Sequence, residues 1–311
     1  DLVEDSFYPI REPTQVWTGS KWAPIKSFYW SGRKPTKLIR TSRGYTTDGS
    51  YVHPVWVRTP EGEKFVQMQA LRKGDWVAID RSLASFPSVE PSIPFTPRTD
   101  RNFTYPSKLS PALASILGWV VGEAWVMSSH HVMVTQYPGE GHDEIRRLFK
   151  EVFAWVGNEG NKDSHKTIGI SSVDIRSYLH SCGIDFQLSA GKTVPPVIFQ
   201  GTGSSVRSFL QAFFEAEASV SLEGGVEISS ASKELLSGVH KLLLRFGIVG
   251  SLSSKWNKKH QRFYYRISFF GVDAALFQER VGFFSSTKKG LLETTLRDVN
   301  NTNKNVVPYC S

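Results

Sequence analysis

The chain has 311 residues, enough for two domains that each bury a core. Hydrophobic residues at 40% against charged residues at 21% exclude a disordered chain, and no apolar run reaches membrane-spanning length. A formal net charge of +8 favours a polyanionic partner, while two cysteines, Cys182 and Cys310, exclude a disulfide framework.

Residues 1–90 alternate apolar and polar positions between turn signals. QVWTGSKWAPIKSFYW does so around Gly19-Ser20, KLIRTSRGYTTDGSYVHPVWVRT around Asp48-Gly49, and GEKFVQMQALRKGDWVAI with Gly74-Asp75 before a buried strand. No segment here keeps helical periodicity for three turns, so an all-β domain is expected. Lys21, Lys26, Arg33, Lys34, Lys37, Arg40 and Arg43 make it densely basic. Pro87, Pro91, Pro94, Pro97 and Pro106 then interrupt any period, and 91–109 reads as a linker. Ser110-Pro111 supplies a capping residue followed by proline at the first helical position.

ILGWVVGEAW at 116–125 and LQAFFEAEAS at 210–219 are one segment written twice. Gly118, Gly122, Glu123 and Ala124 precede Ala212, Ala216, Glu217 and Ala218 by 94 positions each, since 217 − 123 = 94. Small residues four apart stack on one helix face and let two backbones approach closely. One such helix ending in Glu would be core packing and nothing more. Two at the same offset imply pseudo-twofold symmetry with a pair of carboxylates on the axis.

After each copy the same elements follow. The first has a strand at HHVMVTQ, a helix at HDEIRRLFKEVFAWV, a strand at TIGISS and a helix at VDIRSYLHSCG. The second has GGVEISS, SKELLSGVHKLLLRFG, RFYYRISFF and VDAALFQERVG in the same order. Polar residues alternating on these strands would read base edges from an open sheet face: His130 and Gln136 in one half, Arg262, Tyr264 and Arg266 in the other. Lys258 and Lys259 lie in a basic loop suited to phosphates.

Both duplicated segments resemble the LAGLIDADG motif of homing endonucleases, in the form carried by endonucleases embedded in inteins; FLQAFFEAEASV is the closer copy. The resemblance implies an α+β fold in which two pseudo-symmetric αββαββα repeats form a DNA-binding saddle, preceded by an all-β Hint-like domain. It implies a Hint-like domain at 1–90, a linker at 91–109, repeats at 110–204 and 205–300, and a tail at 301–311. It also implies a monomeric, intracellular enzyme of the cytoplasm or nucleoid that makes site-specific double-strand breaks in DNA. Glu123 and Glu217, with Ala124 and Ala218, would hold two or three Mg²⁺ ions. Lys192 and Lys289 (or its neighbour Lys288) would stand beside them as catalytic lysines. Two departures are evident: both acids are Glu where Asp is commoner, and the Gly that usually follows is Ala.

SYVHPVWV with LRKGDWVAI resembles the N-terminal part of the Hint fold of inteins. Ser50 and His53 occupy the places of its Thr and His, and Ser6 that of the first splicing nucleophile. The chain ends NVVPYCS, without the terminal His-Asn pair of an intein, so splicing by this chain alone is not expected. Its start at Asp1 rather than Met is what a processed product or fragment would show. Two other readings stay open: a catalytically decayed, maturase-like nucleic-acid binder, and the N-terminal part of a split intein.

Overall fold

The computed structural model describes residues 2–18, 21–83, 85–98, 103–128, 131–155, 158–162 and 164–297. It divides into two compact units between Ser85 and Phe86. Among the described residues no helix is long and apolar enough to cross a membrane.

The first unit contains strands and one 3₁₀ turn. β1 (Ser6–Trp17) pairs antiparallel with β2 (Trp22–Trp30), β3 (Thr36–Arg40) with β4 (Thr46–Ser50), and β5 (Pro54–Thr59) lies between β6 (Gly62–Gln67) and β7 (Trp76–Val77). The β3–β4 turn differs from expectation. Asp48 and Gly49 lie inside β4, opposite Leu38 and Lys37, and the chain reverses at 42–44 instead. There Gly44 takes φ +87, and Tyr45 N–H donates to the Thr41 hydroxyl at 3.0 Å. Among this unit's described apolar residues only Val57 and Met68 are fully buried, while Phe7, Leu38, Phe65 and Trp76 are exposed.

The second unit contains two copies of one plan. The first copy runs α1 (Pro111–Glu123), β8 (Ala124–Ser128), β9 (His131–Gln136), α2 (Glu140–Phe153), β10 (Asn158–Lys162), β11 (His165–Ile170) and α3 (Val173–Ser181). A short α4 (Pro196–Phe199) leads to the second: α5 (Gly203–Glu217), β12 (Ser219–Val220), β13 (Val226–Ser230), α6 (Lys233–Arg245), β14 (Ser251–Asn257), β15 (Arg262–Phe269) and α7 (Val272–Arg280). α8 (Ser286–Arg297) has no counterpart in the first copy and was not expected from sequence. Both sheets are antiparallel with matching strand order, β8-β9-β11-β10 and β12-β13-β15-β14. The duplicated αββαββα plan is therefore present.

Each motif helix starts as its sequence dictates. Ser110 accepts from Leu113 N–H at 3.2 Å with Pro111 behind it, and Thr202 accepts from Ser205 N–H at 3.4 Å. Their apolar faces bury Ile116, Leu117 and Trp119 in α1, and Phe209, Phe213 and Phe214 in α5. Each such side chain contributes roughly 1.5–3 kcal/mol on leaving water.

The stretch at 91–109 is not a free linker. Ile93 and Leu109 are buried in the second unit's core, and Phe95 and Tyr105 pack on Tyr178 at ring distances of 5.3 and 5.6 Å. Tyr178 Oη donates to the Pro106 carbonyl at 2.7 Å, and the Glu90 carboxylate accepts from Thr202 N–H and from the Thr202 and Ser205 hydroxyls. Spaced apolar residues on both sides of 99–102 thus anchor this segment to the second unit's core.

Candidate active site

α1 and α5 lie side by side along their small residues. Gly118 faces Ala212 and Gly122 faces Ala216, so each glycine meets the residue that corresponds to it in the other repeat. A β-carbon on Gly118 would stand 2.5 Å from the Phe209 carbonyl oxygen, a spacing that larger residues forbid.

Both helices stop at their glutamates. Ala124 and Ala218 are extended residues that close them, donating to the Val120 and Phe214 carbonyls, and the chain then enters the first strand of each sheet. Glu217 reaches back across the seam, its Oε1 3.8 Å from where a Gly122 β-carbon would stand, next to Glu123. Burial pushes the Glu123 carboxyl up to about 7; the charge of Glu217 adds to this, and Lys192 and Lys288 oppose it. Burial also raises Glu217, against the same two lysines. Glu123 is half-buried and Glu217 is open to solvent on one side, and two carboxylates so close together favour holding a proton or a cation.

The lysines cap the helices that carry these acids. Lys192 Nζ donates to the carbonyls of Val121 (2.7 Å), Gly122 (3.0 Å) and Ala124 (3.3 Å). Lys288 Nζ donates to the carbonyl of Glu215, the position equivalent to Val121. Cations are favoured at helix C-termini, where carbonyls are left unpaired. Burial lowers the pKa of both ammonium groups, and the neighbouring acids oppose that fall. The expected Lys289 is not the lysine at the seam. Both residues belong to α8, where neighbours point about 100° apart, and Lys288 is the one turned toward the acids.

Among the described residues no group of three or more His, Cys, Asp or Glu side chains gathers as a metal site. The seam instead supplies two carboxylates, hard oxygen donors of the kind Mg²⁺ and Ca²⁺ take. Their mutual repulsion is what a bound cation would relieve, so the pair fits such an ion. The Ala124 carbonyl, expected as a ligand, already accepts from Lys192.

Residues 204–294 match a LAGLIDADG-like domain. That stretch holds all of the second sheet, α6, α7 and nearly all of α5. Over longer spans the chain is similar to a replication factor C small subunit from Methanocaldococcus jannaschii, at 23% identity over 84% of this chain and 13% of that protein. It is also similar to a glutamine–fructose-6-phosphate aminotransferase of that organism, at 26% over 64% and 19%, and to the replicative DNA helicase DnaB of Rhodothermus marinus, at 22% over 99% and 34%. The chain thus spans about a third or less of the length of these curated relatives. Among solved structures, I-DmoI in complex with DNA and calcium aligns with a TM-score of 0.43 and 15% identity, over 59% of this chain and 97% of that one. The N-terminal LAGLIDADG domain of WhiA aligns at 0.40 and 13%, over 58% and 84%.

In the second repeat, β15 alternates as a one-sided sheet should. Tyr265, Ile267 and Phe269 face the helices, while Arg262, Tyr264 and Arg266 share the open face. Arg262 lies over the Tyr264 ring at 5.4 Å, and Arg266 pairs with Glu227 at 3.1 Å across the β13–β15 register. Lys258 and Lys259 are exposed in the β14–β15 turn. In the other repeat Gln136 does not join an open face. It falls on the side of buried Val132 and Val134, packs beside Gly141, and accepts from Tyr137 N–H at 2.8 Å. Thr135, hydrogen-bonded to Trp125 Nε1 at 3.0 Å, holds the outward position there. His130 lies outside the described residues.

In the first unit, Ser50 and His53 share one turn, with His53 N–H donating to the Ser50 carbonyl at 2.9 Å. Ser6 belongs to a different sheet, opposite Trp30, where its hydroxyl donates to the Glu4 carbonyl at 3.3 Å. Sequence reasoning missed Glu215, whose signal was a charge inside the apolar run FFEAE.

Proposed function

We propose that residues 110–297 form a site-specific, divalent-metal-dependent DNA endonuclease of the LAGLIDADG type, acting as a monomer on double-stranded DNA. The observation that carries this reading is the pairing of Glu123 with Glu217 at the ends of two tightly packed helices, flanked by Lys192 and Lys288. The match of residues 204–294 supports it.

Glu123 and Glu217 would hold the metal, two or three Mg²⁺ ions in this reading, with the Ala218 carbonyl as a further oxygen. When bound, the metal lowers the pKa of a water and neutralises charge on the phosphoryl oxygens. The residues supply the rest. Partial burial of Glu123 at the end of the packed helices lowers the local dielectric and strengthens each interaction there, while Glu217 stays open to solvent. Lys192 and Lys288 set fixed positive charge on either side of the pair, where negative charge grows as the phosphodiester is attacked. The pseudo-twofold axis presents one such arrangement to each strand. Arg262, Tyr264 and Arg266 would read bases from the open sheet face while Lys258 and Lys259 hold phosphates. The test is to incubate the protein with a randomised duplex library and Mg²⁺ or EDTA, then sequence the ends. Recurrent cut sites with Mg²⁺ alone support the reading, and DNA retained but never cut replaces it with the binding module.

For the first unit, the sparse burial around Val57 and Met68 favours an incomplete β domain whose missing core comes from a further segment. With Ser50 and His53 in one turn, we read it as the N-terminal part of an intein-type splicing domain, Ser6 marking the junction. Similarity to a replication factor C small subunit, an aminotransferase and a helicase, proteins with different names and activities, is what an element inserted into different hosts predicts. Co-expression with candidate C-terminal segments tests this: splicing or stable co-purification supports it, and failure of every such segment to bind removes it.

A further inference from the structure

α8 begins against two carboxylates, one from each repeat. Glu215 Oε2 accepts the backbone N–H groups of Phe284 (2.8 Å) and Ser285 (3.0 Å), and Glu140 Oε2 accepts Ser286 N–H (2.8 Å) and its hydroxyl (3.1 Å). A helix start leaves N–H donors unpaired and carries partial positive charge, so carboxylates are stabilised there on both counts. Glu215 is only 7% exposed, and these donors answer a charge that would otherwise be costly to bury. Within the first turn of the helix, Lys288 turns back to the carbonyl of the same Glu215, its ammonium 5.7 Å from the Phe283 ring centroid. One residue therefore holds α8 by its side chain and Lys288 by its backbone.

The first repeat is built differently. Val121 stands where the second repeat has Glu215. Lys192 follows a single 3₁₀ turn, Ser189–Gly191, and reaches its carbonyls beside a shallow open cleft bordered by Val121, Phe186 and Lys192. Its backbone is tied by the Ser232 hydroxyl, which donates to the Lys192 carbonyl at 2.6 Å. One seam lysine sits on a helix clamped at its start by a buried carboxylate; the other follows a 3₁₀ turn with no such carboxylate and is held by its three carbonyls and by Ser232.

We propose that Glu215 is a positioning residue that clamps α8 and so fixes Lys288 at the seam, and that the lack of this clamp in the first repeat makes the two half-sites cut their strands at unequal rates. The unequal cutting rests on the endonuclease reading above; the clamp does not.

Glu215→Ala removes the acceptor, whereas Glu215→Gln keeps an oxygen for the Phe284 and Ser285 N–H groups. In the full chain, amide exchange at 284–286 and amine labelling of Lys288 at one fixed pH are read by mass spectrometry, with Lys192 as the internal reference. Glu215→Ala should speed both at least about tenfold, as loss of hydrogen bonds to a charged group implies, with Lys192 labelling unchanged and Glu215→Gln close to wild type. Unchanged exchange and labelling at α8 in Glu215→Ala overturn the clamp. On a duplex that the wild type cuts, the strand served by the Lys288 half-site should be nicked first, and Glu215→Ala should slow that nick by about tenfold, leave the other strand and DNA affinity unchanged and so narrow the difference between the strands, with Gln restoring the rate. Equal slowing of both strands overturns the inequality. A wild type that cuts no DNA refutes the endonuclease reading and the strand inequality together, while the exchange and labelling result still decides the clamp.

Discussion

Gly122 meets Ala216, its own counterpart in the second repeat, so closely that a β-carbon built on the glycine would lie 2.7 Å from the Ala216 Cβ. The two helices touch along residues that share one position in the duplicated segment. Their terminal acids are brought together for the same reason.

Adding bulk to that seam should separate the helices. In an exposed helix Gly→Ala is stabilising by roughly 1 kcal/mol. Here Gly118→Ala would drive its methyl against the Phe209 carbonyl and the Ala212 Cβ, at 2.5 and 2.9 Å, and backbone cannot swing aside as a flexible side chain can. We expect a loss of about 1–3 kcal/mol in urea unfolding, with cutting impaired as Glu123 and Glu217 move apart. A midpoint equal to or above wild type contradicts the close packing.

Lys288 and Lys289 give a sharp contrast within one helix. Lys288→Met removes the ammonium that reaches the Glu215 carbonyl beside the acid pair. It should lower single-turnover cleavage about a hundredfold while binding is kept, in the range found for removing one transition-state donor. Lys289→Met should leave cleavage within about twofold, as a surface change does. Reversal of the two results would place the wrong lysine at the seam.

The acid pair also sets a pH dependence on folding. The folded-state pKa of Glu123 is raised from the usual carboxylate value to about 7, and that of Glu217 is raised as well. A raised carboxyl contributes stability that is complete below the unfolded-state pKa and is lost as pH climbs through the folded-state one. Metal-free protein should therefore lose stability between about pH 4.5 and 7 from this source, and Glu123→Gln should flatten that part of the curve. Mg²⁺ should raise the melting temperature more at pH 8 than at pH 5. A wild-type profile identical to that of Glu123→Gln contradicts a repelling pair.

The duplicated helices were legible because stacked small residues at four-residue spacing, each run ended by an acid, are rarely repeated at one offset by chance. Other features were not. The prolines of 91–109 hide anchors such as Ile93 and Leu109, which are spaced too irregularly to read as helix or strand. Choosing between Lys288 and Lys289 needed the direction of α8, which has little apolar periodicity of its own. Gln136 was assigned to the wrong face because its polarity was weighed above its parity with Val132 and Val134, which sets it on the buried side of β9. Glu215 was overlooked since its partners lie about seventy residues away in sequence.

The sheet face and its loop should separate in their salt and sequence dependence. Lys258→Ala and Lys259→Ala should weaken DNA binding uniformly and each reduce the slope of log K against log salt by about one. Arg266→Ala should instead relax preference at a particular base pair by about 1–3 kcal/mol and free Glu227. Competition binding against duplex libraries at two salt concentrations reads both. Uniform weakening by all three would make Arg266 a phosphate contact only.

The most direct test of the account is single-turnover cleavage, with Mg²⁺, of a duplex that the wild-type chain cuts, comparing Glu123→Gln and Glu217→Gln with wild type and measuring affinity alongside. The account predicts that each substitution slows cutting by about a thousandfold or more while the duplex is bound as before. Cutting at the wild-type rate by either variant would remove that carboxylate from the chemistry and, with it, the reason for bringing α1 and α5 together.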